Sequence, residues 1–155
     1  MQPPELTIIL VVEHNEADAE HLLHSLANLQ RPYRLERVSS SEAAIDYLSG
    51  AGPYADRERF PFPALVLLDM QLPQTSGSDL LDWLKQHQDL NPMLVLILSN
   101  GSLAYTGKSM ETHGNVTISY LPFLKPLGRE IVAAMHDLFE VWNAISKQLV
   151  GVPAT

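Results

Sequence analysis

The chain has 155 residues, no cysteine and a formal charge of −8. That length suits one domain with a substantial core, and the absence of thiols excludes disulfides and thiolate metal sites, as fits a reduced cytoplasmic setting. Ten scattered Lys and Arg residues offer no basic footprint for nucleic acid. No apolar run approaches the ~20 residues of a bilayer span, and Met1-Gln2-Pro3-Pro4-Glu5-Leu6 shows no secretion signal, so no membrane partner is expected.

Thr7-Ile8-Ile9-Leu10-Val11-Val12 is a β-branched apolar run and predicts a first buried strand, broken by Glu13-His14-Asn15. From Glu16 to Leu29, the positions Leu22, Leu23, Leu26 and Leu29 recur at helical spacing, and Pro32 stops that helix. Tyr33 to Val38 alternates apolar and polar residues, the pattern of a half-exposed edge strand. Ser39 and Glu42 have capping-box spacing ahead of a short helix through Leu48. Gly50-Ala51-Gly52-Pro53 ends that helix and opens a loop to about Pro63.

Ala64-Leu65-Val66-Leu67-Leu68 predicts a strand buried on both faces, with Asp69 at its tip. A third helix is expected from Asp79 to about His87, with Leu80, Leu81 and Leu84 inward. Met93 to Leu98 predicts a fourth strand ending at Ser99-Asn100. Gly101 to His113 is expected to form a fourth helix, weakened by Gly107 and its hydroxyl residues. Val116 to Leu121 predicts a fifth strand, and Pro122 places it at a sheet edge. Gly128 to about Val150 reads as a long helix with Ile131, Met135, Leu138, Phe139, Trp142, Ile145 and Leu149 on one stripe.

Five strands alternating with five helices predict an α/β, doubly wound (βα)5 fold. The flavodoxin-like order 2-1-3-4-5 is expected for its five-stranded parallel sheet. In that order the carboxyl ends of the strands converge, bringing together Glu13 and His14, Asp69, Ser99 and Asn100, and Lys125. Such groups suit phosphoryl acceptance: a carboxylate nucleophile, a bound cation, and hydroxyl and ammonium groups for the phosphoryl oxygens.

On these residues the chain resembles the receiver domain of bacterial two-component response regulators, over about 7–145. The phosphoacceptor motif stands as Leu67-Leu68-Asp69-Met70-Gln71-Leu72-Pro73, followed by Gly77; Ser99 fits the Thr/Ser switch position, and Lys125-Pro126 the Lys-Pro pair. A closer likeness is to single-domain regulators that serve phytochrome kinases. It rests on Glu13-x-Asn15-x-Ala17-Asp18, the loop from Tyr54-Ala55 to Pro63, and Phe139-Glu140-x-Trp142. The resemblance implies a single receiver domain over 1–155 with an extended C-terminal helix and no output domain. It implies Asp69 as phosphoacceptor, Ser99 and Lys125 as phosphoryl-binding groups, and Mg²⁺ on Glu13, Asp69 and the backbone carbonyl of Gln71. A histidine kinase or phosphotransfer protein, of phytochrome type, would be the donor, and the chain would be a switch rather than an enzyme, read out through protein–protein contacts.

Two positions depart from the family pattern. His14 stands where receivers carry a second Mg²⁺-binding acid, and imidazole is a poor ligand for that hard ion. Weakened Mg²⁺ affinity and slow or absent phosphorylation follow, and His14 stays open as a phosphate-binding cation, a soft-metal ligand or drift. Pro122, flanked by Tyr120 and Phe123, occupies the switch-aromatic position. Both departures favour an alternative, a phosphorylation-independent pseudo-receiver. A small phosphatase or flavodoxin-like enzyme is disfavoured, because the apparent nucleophile follows the third strand and no Gly-rich loop follows the first.

His21 and His24 are expected on a solvated helix face, and Arg57 and Arg59 to be solvated rather than to reach a phosphate. The last helix, at some 22 residues and roughly 33 Å, outruns strands of ~17–20 Å. Its end around Trp142, Ile145 and Leu149 is therefore expected to overhang the sheet and bury itself in a homodimer, with the fourth helix and fifth strand.

Overall fold

The computed structural model describes residues 7–26, 33–69, 77–87, 90–99, 110–122, 137, 139–140 and 142–144. In chain order these form β1 (Thr7–Val12), α1 (Glu16–Leu26), β2 (Tyr33–Val38), α2 (Ser41–Ser49), a 3-10 turn (Gly52–Tyr54), β3 (Leu65–Asp69), α3 (Gly77–Gln86), β4 (Met93–Ser99), β5 (Met110–His113) and β6 (Val116–Pro122). Residues 137, 139–140 and 142–144 are also helical.

The apolar runs become central strands because both sheet faces are covered. Successive side chains of a strand point to opposite faces. Leu10, Val12, Val66, Leu68, Val95 and Ile97 accordingly pack with Ala44, Tyr47 and Leu48 of α2 and Leu80, Leu81 and Leu84 of α3. Ile9, Val11, Leu65, Leu67, Leu94 and Leu96 face the other way, onto Leu23 of α1 and onto Phe139 and Trp142. Helices on both faces of a mostly parallel sheet give the doubly wound, flavodoxin-like architecture.

The sheet order is β2-β1-β3-β4-β6-β5. Its five parallel strands follow the expected 2-1-3-4-5 arrangement, with β6 as the fifth of them, but a sixth strand lies outside. Met110 to His113 belong to β5, antiparallel to β6, and not to the fourth helix expected over 101–113; residues 100–109 lie outside the described residues. His113 pairs with Val116 across a two-residue turn, and Gly114 supplies the positive φ of 62° that the turn needs. Asn115 anchors it by donating its side-chain amide to the Leu90 carbonyl at 2.9 Å. The hairpin satisfies backbone groups along β6, and the poor helix propensity of the segment offers little against it.

This also corrects the edge expected at Pro122. Among the described residues, β5 covers β6 from Val116 to Ser119, and Pro122 is paired in register with Ser99 of β4. A proline at the last position of a strand costs little in the ladder.

Two further expectations shift. The cap of α2 is Ser40, whose hydroxyl accepts the Ala43 N–H at 3.1 Å, and not Ser39. Trp142 does not overhang the sheet: it is 6% exposed and sits in the core beside Phe139, with ring centroids 5.6 Å apart. An indole that can reach the strand side chains buries itself there rather than against a second chain. Ile145 and Leu149 lie outside the described residues.

Candidate functional site

The carboxyl edge of the sheet is assembled by register. Val12 pairs with Leu68, Asp69 with Leu98, and Ser99 with Pro122. Glu13 follows the last residue of β1, Asp69 ends β3 and Ser99 ends β4, so the three stand on adjacent parallel strands along one rim. The side chains of Asp69 and Ser99 are outside the description, and Gln71 and Lys125 lie outside the described residues.

Around Glu13 the geometry is defined. Its N–H donates to the Val38 carbonyl at 3.0 Å, carrying the β1–β2 ladder one residue past the strand. Its side chain is buried at 3% exposure, and one carboxylate oxygen accepts the Asn15 N–H at 3.2 Å. Asn15 in turn caps α1, its side-chain oxygen accepting the Asp18 N–H at 2.9 Å. Strand end, acid and helix start are thus one hydrogen-bonded turn. His14, in the middle of it, is exposed.

A buried carboxylate loses hydration and needs compensating partners, of which the Asn15 N–H is one. Two carboxylate residues, Glu13 and Asp69, on neighbouring strand ends are hard oxygen donors of the kind Mg²⁺ and Mn²⁺ take. The donor set therefore fits a divalent cation, with solvent-facing His14 adding no hard oxygen.

One residue of this site escapes sequence reasoning. Arg37, on β2, donates from Nε and Nη2 to the Glu13 carbonyl at 3.3 and 3.0 Å. The same Nη2 also reaches the His14 carbonyl at 3.3 Å. Nothing in the local pattern of an edge strand signals this, because the partners are backbone atoms more than twenty residues away.

Arg57, by contrast, has a structural role and is not simply solvated. Nη1 donates to the carbonyls of Tyr47 and Phe60 at 2.7 and 3.1 Å, and Nη2 to that of Leu48 at 2.8 Å. The guanidinium thereby satisfies the last carbonyls of α2 and lies 5.9 Å from the Tyr47 ring centroid. Tyr47 in turn packs with Tyr54 and Phe60 in one aromatic cluster. Burial pushes the Tyr47 phenol up to about 12, Glu36 acts in the same direction, and Arg34 and Arg57 partly offset them. Arg59 is exposed, as expected, and so is His24; the His21 side chain is outside the description.

Comparison with known proteins places this architecture. No family model matches the chain. It is 30% identical over 139 residues to the "Probable methanogenesis regulatory protein FilR2" of Methanothrix harundinacea, a match covering 87% of this chain and 83% of the relative. It is 33% identical over 97 residues to the response regulator Rcp1 of Synechocystis, covering 63% of each. The chain belongs to the response-regulator family.

Solved structures agree. The response regulator RPA3017, from red light signalling in R. palustris, superposes with a TM-score of 0.68 at 27% identity, covering 88% of this chain and 93% of that one. Rcp1 in its Mn²⁺-bound form gives 0.60 at 26% identity, covering 96% and 97%. The phosphorylated cyanobacterial phytochrome response regulator RcpA gives 0.61 at 26% identity, covering 96% and 98%. In this response regulator the rim of Glu13, Asp69 and Ser99 falls where the fold places its chemistry, at the carboxyl ends of the strands. Among its described residues no helix is long and apolar enough to cross a membrane.

Proposed function

We propose that this response regulator receives a phosphoryl group on Asp69 from a histidine kinase or phosphotransfer protein, of the phytochrome-linked kind. The observation that carries this reading is the register that sets Glu13, Asp69 and Ser99 side by side on one rim. The Asp69 carboxylate attacks phosphorus in line; the new oxygen–phosphorus bond forms as the phosphorus–nitrogen bond of a phosphohistidine breaks. The imidazole leaves and takes a proton from solvent. Glu13 and Asp69 would hold a divalent cation, Mg²⁺ or Mn²⁺, which offsets charge on the phosphoryl oxygens. The Ser99 hydroxyl and the Lys125 ammonium are assigned to bind those oxygens.

The added charge of about −1.5 to −2 then biases the surface that partners read. The chain acts as a binding switch in the cytoplasm and not as an enzyme. A homodimer through the last helix is part of the proposal. Phe139 and Trp142 are taken up by the chain's own core and leave that contact to other residues; sedimentation of the full chain as a dimer supports it, and as a monomer contradicts it. Transfer of label from an autophosphorylated phytochrome kinase tests the donor class: label should pass to the wild type and not to Asp69→Asn. Equal labelling of both proteins, or of neither, would contradict the proposal.

A further inference from the structure

We infer that Arg37 is a positioning residue for the cation site, locking the β1–α1 turn so that Glu13 presents its carboxylate to the ion. The inference rests on the proposed cation site and assigns how this chain holds it. Three observations converge on the turn. The Glu13 N–H is held by the Val38 carbonyl at 3.0 Å. The carbonyls of Glu13 and His14 are both held by the Arg37 guanidinium, at 3.0 to 3.3 Å. The Glu13 carboxylate accepts the Asn15 N–H at 3.2 Å, and Asn15 caps α1.

A guanidinium is a planar fork with fixed donor directions, so gripping two successive carbonyls fixes both peptide planes at once. Val38 alone leaves the plane between Glu13 and His14 free to rotate, since it holds only the preceding N–H. Rotation there would carry off His14 and, with it, the Asn15 N–H that holds the Glu13 carboxylate in place. A conventional site gains rigidity from a second acid on the ion; here residue 14 is an exposed histidine, and the restraint comes from Arg37 on the neighbouring strand. Groups that orient metal ligands in this way typically change affinity by about ten- to a hundredfold when removed.

The test is the Kd for Mn²⁺, read by the electron paramagnetic resonance of free ion, on the full chain in four forms. Wild type should bind, and Arg37→Ala should bind about tenfold or more weakly. Arg37→Lys, which keeps the charge and part of the donor set, should recover some of the loss. Arg57→Ala removes a comparable carbonyl clamp far along the chain; it should melt earlier yet keep the wild-type Kd. Equal Kd values for wild type and Arg37→Ala overturn the positioning role while leaving the cation site standing. Equal weakening in Arg57→Ala overturns it as well, by reducing the effect to general destabilisation. Absence of binding by wild type removes both the inference and the cation site, whereas phosphorylation of Asp69 is read independently by mass. Should Arg37→Ala fail to fold, Arg37→Lys carries the decision, and a wild-type Kd in that variant overturns the inference.

Discussion

Arg37 and Arg57 solve the same problem in two regions with different consequences. Each carries a guanidinium to two or three main-chain carbonyls near the end of a regular element. Around Arg57 the setting is apolar: Tyr47, at 1% exposure, packs tilted against Tyr54 and edge-on against Phe60, and the clamp closes the α2–β3 loop over one face of the core. Around Arg37 the setting is the polar rim, where Glu13 is buried and His14 is open to water. One chemistry thus serves folding in the first place and presentation of an acid in the second. Loss of the first should be read in stability, and loss of the second mainly in ligand affinity.

The largest effect expected on stability is alkaline. Below pH 10 the Tyr47 phenol is neutral in both folded and unfolded chains. Between 10 and about 12 the unfolded chain loses that proton first, so stability falls as pH rises through this window, by about 3 kcal/mol in full. Denaturant titrations at stepped pH should show the fall in wild type. In Tyr47→Phe the window should flatten, with a constant loss of about 1 kcal/mol for the hydrogen bond to the Pro61 carbonyl.

Arg57→Ala comes next, at about 2 kcal/mol, because carbonyls at the end of α2 lose a charged donor; thermal melts read it. Ser40→Ala should cost about 1 kcal/mol through the lost cap of α2. Arg37→Ala should be the mildest, about 1 kcal/mol or less, since its carbonyls can turn to water. If Arg37→Ala destabilises as much as Arg57→Ala, the contrast between the two clamps fails. His14→Asp sharpens it from the other side: a hard oxygen beside Glu13 should tighten Mg²⁺ binding, and should lessen the penalty of Arg37→Ala in the double variant.

The central strands were legible because their burial on both faces forces continuous apolar runs, as in Leu65 to Leu68 and Met93 to Leu98. Strand order followed from alternation and handedness, and the rim residues followed from where those runs stop. Met110 to His113 misled because a short edge strand needs no apolar run, and the residues before it read as a weak helix. The usable signal was Gly114-Asn115, a pair suited to a two-residue hairpin and set against a β-branched run. Neither arginine clamp was legible: a long side chain finding distant backbone oxygens leaves no periodicity and no motif. Trp142 was placed on the right stripe but given the wrong partner, since helix length alone does not say where along it the sheet ends.

The central claim is that Asp69 accepts a phosphoryl group. Incubation of the full chain with a small-molecule phosphodonor and Mg²⁺, followed by intact-mass measurement, tests it most directly. One phosphoryl group should appear on wild type, form faster in His14→Asp, and be absent from Asp69→Asn. No added mass on wild type, or the same gain on Asp69→Asn, would contradict the account.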